Sequence, residues 1–581
     1  MKYKLLAASI LATMSTSALS ATYQLTELST LDGAKHNYVK DVSESGHILG
    51  LANGIYNLPI DVSYIDFDDN LIKNAYNQRE NDFESINKQI TFTLDDIENN
   101  NAAATNPDAH SFMLDFLSLD AIRTNPEYQK LANIVGYNVL NGEAQEQVLF
   151  DLASVDYDGL TRSVSNNYNA VAEDGTAVGW GSAPYEKTVF TPDGETEEET
   201  RFVRDFISRG IIVSPDGLSV PLVPEFDEYG GISIASDIVK TNSGYTVVGQ
   251  VSTGIPSDRQ ENIDDDCDGE DQPISVCIEG LQRSTSSRLF DTRAVKWSLD
   301  SNLNITNTEL LGLGLTPEDD DNFAFTSNAL AVNSNGIVAG SSDIRDNNRS
   351  STIRTLPVYY KDGKIVEMLN QEDDWTGGKA LAISNNDVIV GYGIKRIEGE
   401  DRLKFFYHDI ASNSSVFPTD FFNSSASIAN DINDNGYIVG EGETDVFNLG
   451  SRRREGFLYK IGEDTITNVN DLLPCYEADG ETRYKYVVSE AKVINNNNEI
   501  FGVATKTVEK TDSLGGVVRD INGEIEYESI AVPVKLTPID GEVESCTDPE
   551  TDTYERQSAS FPWYTLLLLP LVGLRRAFRN K

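Results

Sequence analysis

Histidine is almost missing from this chain. The 581 residues hold four, His36, His47, His110 and His408. None belongs to a His-Glu-x-x-His zinc motif. His47 falls inside a turn and His408 in an aromatic run, which assigns both to structure. No Gly-x-Ser-x-Gly elbow and no phosphate-cradling glycine loop occurs. Basic residues are scarce too, 46 against 93 acidic ones, for a net charge of −47. Without Lys2, Lys4, Arg575, Arg576, Arg579 and Lys581 at the two ends it becomes −53. That balance opposes nucleic acid and anionic membranes as partners, since phosphate binding needs clustered Lys and Arg. Cysteine occurs only four times, never as Cys-x-x-Cys, which argues against redox catalysis. Carboxylates, by contrast, are too abundant to single out a glycosidase pair.

What is present is a repeat. It reads small-x-x-apolar-Asn-x-x-Gly-x-apolar-apolar-Gly, most cleanly in ANDINDNGYIVG (Ala429 to Gly440). Further copies end at Gly340, Gly391 and Gly502, and weaker ones at Gly50, Gly179 and Gly249. Each copy predicts a β-hairpin. Asn, Asp, Ser and Gly supply a tight turn between two apolar strands, and small residues suit a crowded rim. An aromatic strand such as REGFLYKI and a further apolar strand follow, giving four strands per unit. The expected fold is therefore all-β: a propeller of about seven four-stranded blades, six to eight in range. The last unit lacks a fourth strand, which TYQLTELSTL (residues 22–31) would supply, closing the ring by pairing the two chain ends. The long interval from Gly50 to Gly179 has room for a degenerate eighth blade.

The ends read as addresses. Residues 1–20 pair Lys2 and Lys4 with a short apolar stretch and small residues, the pattern of a secretory signal peptide. Residues 561–574, FPWYTLLLLPLVGL, are shorter than the ~20 apolar residues of a full span and precede RRAFRNK. Trp563 and Tyr564 suit a membrane interface, and the arginines suit its cytoplasmic side. The tail resembles the glycine-glycine type of C-terminal sorting signal processed by rhombosortase, with Ser558, Ala559 and Ser560 where that family has its glycine pair. The repeats resemble HAF-type repeats of bacterial extracellular proteins, YQLTELSTLDG and VSESGHILG being a good local match. Together these features resemble an uncharacterised family of exported Gram-negative proteins, a domain of unknown function. The resemblance implies export, a transient inner-membrane tether through 561–574, and processing that releases the protein to the cell surface or medium. A periplasm-facing anchored protein is the alternative. No activity comes with it.

The domain plan that follows is a leader at 1–20, a propeller at 21–545, a linker at 546–560 and the hydrophobic sorting segment at 561–581. Insertions are expected at about 54–164, with a helix around LDAIRTNPEYQKLANIV, and at about 254–287. Export places the cysteines in an oxidising space. Three pairings exist, of which Cys267–Cys277 and Cys475–Cys546 best fit the chain order. In NIDDDCDGEDQ, Asp264, Asp266 and Asp268 alternate before Gly269, the opening of an EF-hand-like calcium loop. Its twelfth position is Ser275, so Glu270, Asp271 or Glu279 would have to close it. Calcium is the one cofactor suggested. Two function classes remain. One is a non-enzymatic binding protein for a glycan or protein ligand. The other is a polysaccharide hydrolase or lyase using carboxylates in the propeller funnel.

Overall fold

Each copy of the repeat folds into the two inner strands of a four-stranded antiparallel sheet. The computed structural model describes residues 22–541 apart from 158, 284–287, 319–320, 322, 347–348, 447–451, 479–480 and 484. Within the described residues seven such sheets form a seven-bladed β-propeller. Blades 1 to 7 start from the inner strands Ala34–Val42, Asn166–Val171, Ser233–Thr241, Ser327–Val332, Trp375–Ile383, Ser427–Ile432 and Val487–Ile494. The ring closes as expected. Tyr23–Glu27 pairs antiparallel with Tyr527–Pro538, Tyr23 opposite Pro538, and so supplies the outer strand of blade 7. The core lies between blades, where the faces of adjacent sheets interleave side chains such as Val247, Trp297 and Leu299.

The repeat is explained by three contacts. First, every inner strand carries a β-bulge just after the first residue of the repeat, alanine in blades 3 to 7, leaving Lys40, Asn169, Ser236, Leu330, Leu381, Asn430 and Lys492 out of register. Second, the terminal glycine packs against that kink. In blades 2 to 7 a Cβ on it would come within 3.0 Å of the backbone oxygen of the residue before that first one, Ile428 for Gly440. Third, the repeat asparagine is buried and fully used. Asn333 Oδ1 accepts from the backbone nitrogens of Asn335 and Ile337, while its Nδ2 donates to Ser384 O at 3.0 Å and to Asp387 Oδ1 at 2.8 Å in the next blade. Asn433 does the same against Asn495 and Asn498. Asp387 and Asn498 stand where other copies have glycine and hold its left-handed backbone, at φ 60°.

All hairpin turns of the repeat lie on one face, the narrow face, and all long excursions leave the other, the wide face. In blade 1 the excursion covers residues 56–133. It contains α1 (Asn70–Ser85), α2 (Leu94–Asn100), α3 (Ala102–Thr105), α4 (Pro107–Ser118) and α5 (Asp120–Arg123) around a core of its own with Ile72, Phe112, Met113 and Phe116. This corrects two expectations. The insertion is narrower than 54–164, because Ile134–Leu140 and Glu143–Glu146 return as the outer strands of blade 1, and no eighth blade occupies the interval. The helix expected over 119–135 ends at Arg123. Asn125-Pro126 stops it, since the residue before proline is pushed out of the helical region, and Ile134 and Val135 belong to a strand. The polar run NQRENDFESINKQ is instead largely α1, capped by Asp69 and anchored by buried Ile72 and Phe83. Blade 2 sends out the hairpin Glu186–Phe190 and Glu199–Val203. Blade 3 sends out α6 (Ser257–Asp266) and α7 (Ile274–Arg283).

Candidate functional site

The wide face gathers side chains that the propeller itself does not need. The helical insertion is clamped on two sides. His110 Nδ1 meets Ser513 Oγ of the blade 7 arm at 2.9 Å and Nε2 meets Leu58 O at 3.0 Å; burial lowers the ring's pKa, so it stays neutral and Nε2–H donates to Leu58. On the other side the Phe202 nitrogen of the blade 2 hairpin donates to Pro126 O at 2.7 Å, and Tyr64 meets the Phe202 ring edge-on at 5.2 Å. Between insertion, hairpin and the 147–165 connection lies a cavity of about 330 Å³. A second of about 650 Å³ shares Asp61, Asp156 and Tyr157 in its wall. The floor holds Lys130, 9% exposed, whose Nζ donates to Ile122 O at 3.1 Å and to Asn125 O. Burial, helped by the charge of Arg283, draws this amine down to about 7. Lys187 sits over the Tyr64 ring at 4.3 Å and reaches Asp156 at 2.6 Å and Asp61 at 3.3 Å. At the rim Val155 is 95% exposed. The cleft thus combines aromatic faces, two amines, the three carboxylates of Asp61, Asp156 and Glu186, and hydroxyls that include Ser154, Thr161 and Ser163.

The central channel is the other concave feature. Its wall takes one bulge residue from each blade around about 460 Å³. Three aspartates occupy one repeat position. Asp41, Asp237 and Asp431 accept from the backbone nitrogens of Val171, Val332 and Ile494 of the following blade at 2.7, 2.7 and 2.8 Å. Asp237 and Asp431 also accept from Ile238 and Ile432 in their own strands. Each lies deep in the ring and keeps part of its surface exposed. Burial pushes Asp41 up to about 6 and Asp237 and Asp431 to about 7, with mutual repulsion adding to the push. These carboxylates are latches between blades before they are anything else. Sequence reading missed them, and the signal was there: Asp recurs three residues before Glu or Asp of the turn in VKDVSE and ANDIND.

The cysteines and the acidic residues 264–270 singled out in the sequence fall outside these three cavities. Cys267 and Cys277 form a disulfide with Cα atoms 5.6 Å apart. Cys475 is disulfide-bonded as well, and Cys546 lies outside the described residues. Asp264 and Asp266 sit in the last turn of α6, where two positions apart means about 200° around the axis. Asp264 accepts from Gln260, and Asp268 accepts from the Glu270 nitrogen at 2.9 Å. Among the described residues no group of three His, Cys, Asp or Glu side chains is placed to hold a metal. Residues 1–20 and 561–581 are outside the described residues, among which no helix is long and apolar enough to cross a membrane.

The chain belongs to the family described as protein of unknown function (DUF3466), which it matches over residues 1–577. No curated protein matches it. Among solved structures it is similar to the β-propeller domain of the Trilobed protease from Pyrococcus furiosus, at 9% identity over 72% of this chain and 88% of that one, TM-score 0.31. It is also similar to an acylaminoacyl peptidase from Pyrococcus horikoshii, at 11% identity over 71% and 47%, TM-score 0.32. A protein of unknown function from Dyadobacter fermentans gives 9% identity over 64% and 95%, TM-score 0.31. Likeness at this level carries no argument about activity.

Proposed function

We propose that this member of a family without assigned activity is an exported, non-enzymatic binding protein that holds a glycan in the wide-face cleft. One observation carries the reading: the long excursions of blades 1, 2, 3 and 7 all leave the same face, and those of blades 1 and 2 meet around the paired cavities. Stacking faces at Tyr157 and Phe202 beside carboxylates and amines suit a polyhydroxylated ring. Export is supported by two disulfide-bonded sites, which an oxidising compartment maintains. Both chain ends leave blade 7 beside the narrow-face turn that contains Asn498, whose carbonyl accepts from Tyr23. A precursor tethered through residues 561–574 would therefore present the wide face away from the membrane. Calcium at Asp264, Asp266, Asp268 and Glu270 belongs to the same proposal, and would require the end of α6 to unwind.

The test is a glycan array read with the mature protein and with Val155→Trp, a change at the exposed rim. A set of bound glycans whose signal falls at least ~10-fold in the variant supports the cleft, that being the effect of losing about 1.4 kcal/mol. Equal signals from both proteins sink it. The second reading, hydrolysis or lysis of polysaccharide, has the gathering of Asp41, Asp237 and Asp431 in its favour. Chain shortening of a bound polysaccharide, abolished by Asp237→Asn, would move the assignment there.

A further inference from the structure

The channel wall is chemically divided, and the division does not serve closure of the ring. Blades 7 and 1 contribute Lys492 and Lys40, adjacent bulge residues on neighbouring inner strands. Burial, and after it the ammonium of Lys492, lower the pKa of Lys40, with Glu490 and Asp41 opposing the shift. Lys492 reaches Glu490 at 3.3 Å. Lys40 makes no hydrogen bond or ion pair among the described residues. Asp41 beside it is committed to the backbone of Val171 at 2.7 Å. Across the channel, blades 2 to 5 present Trp180, Ile234, Leu330 and Leu381. None of these four is shut into the core; each keeps surface toward the channel. A half-buried cation pair on one arc and an apolar arc opposite form a two-ended site.

We propose that the channel binds a small amphipathic anion, its carboxylate or phosphate between Lys40 and Lys492 and its apolar body against Trp180, Leu330 and Leu381. The site is separate from the wide-face cleft and does not rest on the glycan reading. An oxyanion supplies the hydrogen-bonded partner that Lys40 lacks among the described residues, and charge-assisted hydrogen bonds in a confined place are the strong ones. The apolar body accounts for Leu330 and Leu381 at a position where blades 1, 2, 3, 6 and 7 carry polar residues.

The probe is 8-anilinonaphthalene-1-sulfonate, titrated into the mature protein by calorimetry and by energy transfer from tryptophan. One saturable site is expected, with affinity falling as salt rises. Lys40→Met with Lys492→Met should weaken it at least ~10-fold, while Lys40→Arg retains it. Trp180→Phe should remove most of the transferred emission. Val155→Trp, at the other cavity, should leave affinity unchanged. Unchanged affinity in a double variant that melts like the parent would overturn the proposal. So would failure to bind, or loss of binding in Val155→Trp alone. If the double variant does not fold, Leu330→Asp serves in its place, with the same ~10-fold loss expected and unchanged affinity overturning the proposal.

Discussion

Replacing Gly440 by alanine isolates the contact that makes the terminal glycine of the repeat obligatory. Its Cβ would come within 3.0 Å of Ile428 O and lie 2.7 Å from the Phe457 ring. The first neighbour is backbone in the inner strand of blade 6, which is held to blade 7 through Asp431 and Asn430 and cannot withdraw freely. Overpacking of this kind costs about 1–3 kcal/mol. Displacing the strand also weakens the Ala429–Gly440 pairing, at about 1 kcal/mol for a hydrogen bond. The sum is about 2–4 kcal/mol. Gly280→Ala is the opposite case. It lies inside α7, with nothing within 4 Å of its Cβ, and alanine should gain about 1 kcal/mol there. Urea unfolding followed by circular dichroism compares the two. The midpoint should fall for Gly440→Ala, with the slope unchanged, and hold or rise for Gly280→Ala. A wild-type midpoint for Gly440→Ala would refute the account of the bulge and the glycine behind it.

Asn333→Ala leaves the nitrogens of Asn335 and Ile337 without their acceptor and removes one of the donors to Ser384 O, and should cost about 3 kcal/mol, read as a lower urea midpoint. The channel aspartates have folded pKa values above the unfolded one, so the folded state binds more protons between about pH 4 and pH 7. Their contribution to stability is greatest at the acid end of that window and declines as pH rises through it. Asp237→Asn should therefore compare less favourably with wild type at pH 4 than at pH 7, by about 1–2 kcal/mol after allowance for its partial exposure; a pH-independent difference would contradict it. Reducing Cys267–Cys277 opens a short cross-link worth about 2–3 kcal/mol. Faster proteolysis between α6 and α7, with the melting of the propeller unchanged, is the expected result.

The propeller was legible because a propeller repeats its demands. Each blade needs the same turn and the same close approach, so Asn, Gly and small residues recur at fixed intervals, and even the missing fourth strand could be found at the other end of the chain. The blade 1 insertion was not legible, since nothing in it repeats. Its helices are short, α1 is polar along most of its length, and Ile134 and Val135 continue an apolar pattern that reads equally as helix or strand. The cleft was illegible for a different reason. Tyr64, Lys130, Tyr157 and Phe202 come from four separate segments whose meeting depends on how the excursions cross. The aspartates near residue 266 show where alternation and local structure part. Alternation reads as a loop that converges on a cation, whereas Asp264 and Asp266 lie in the last turn of α6, which points them away from one another.

The variation among repeats follows a rule that only the ring makes visible. Blades are joined in two layers. In the turn layer a backbone nitrogen donates to the equivalent side chain of the next blade: Ser334 to Asn385, Asn385 to Asp434, Asp434 to Asn496, Asn496 to Glu44 and Glu44 to Glu173. This belt stops at blade 3, where the equivalent residue is Lys240, which pairs with Asp174 at 2.9 Å instead. In the channel layer Asp41, Asp237 and Asp431 latch blades 1, 3 and 6 to their successors, and Asn169 donates to Ala235 O across blades 2 and 3. The layers complement each other. The 2–3 and 3–4 boundaries, outside the belt, have channel latches, while the 4–5, 5–6 and 7–1 boundaries, with Leu330, Leu381 and Lys492 at the channel, are held by the belt. Every boundary is secured at least once. It follows that the channel side chains of blades 4, 5 and 7 are released from the work of closure, and these contribute Leu330, Leu381 and Lys492, most of the surface on which an amphipathic anion would rest.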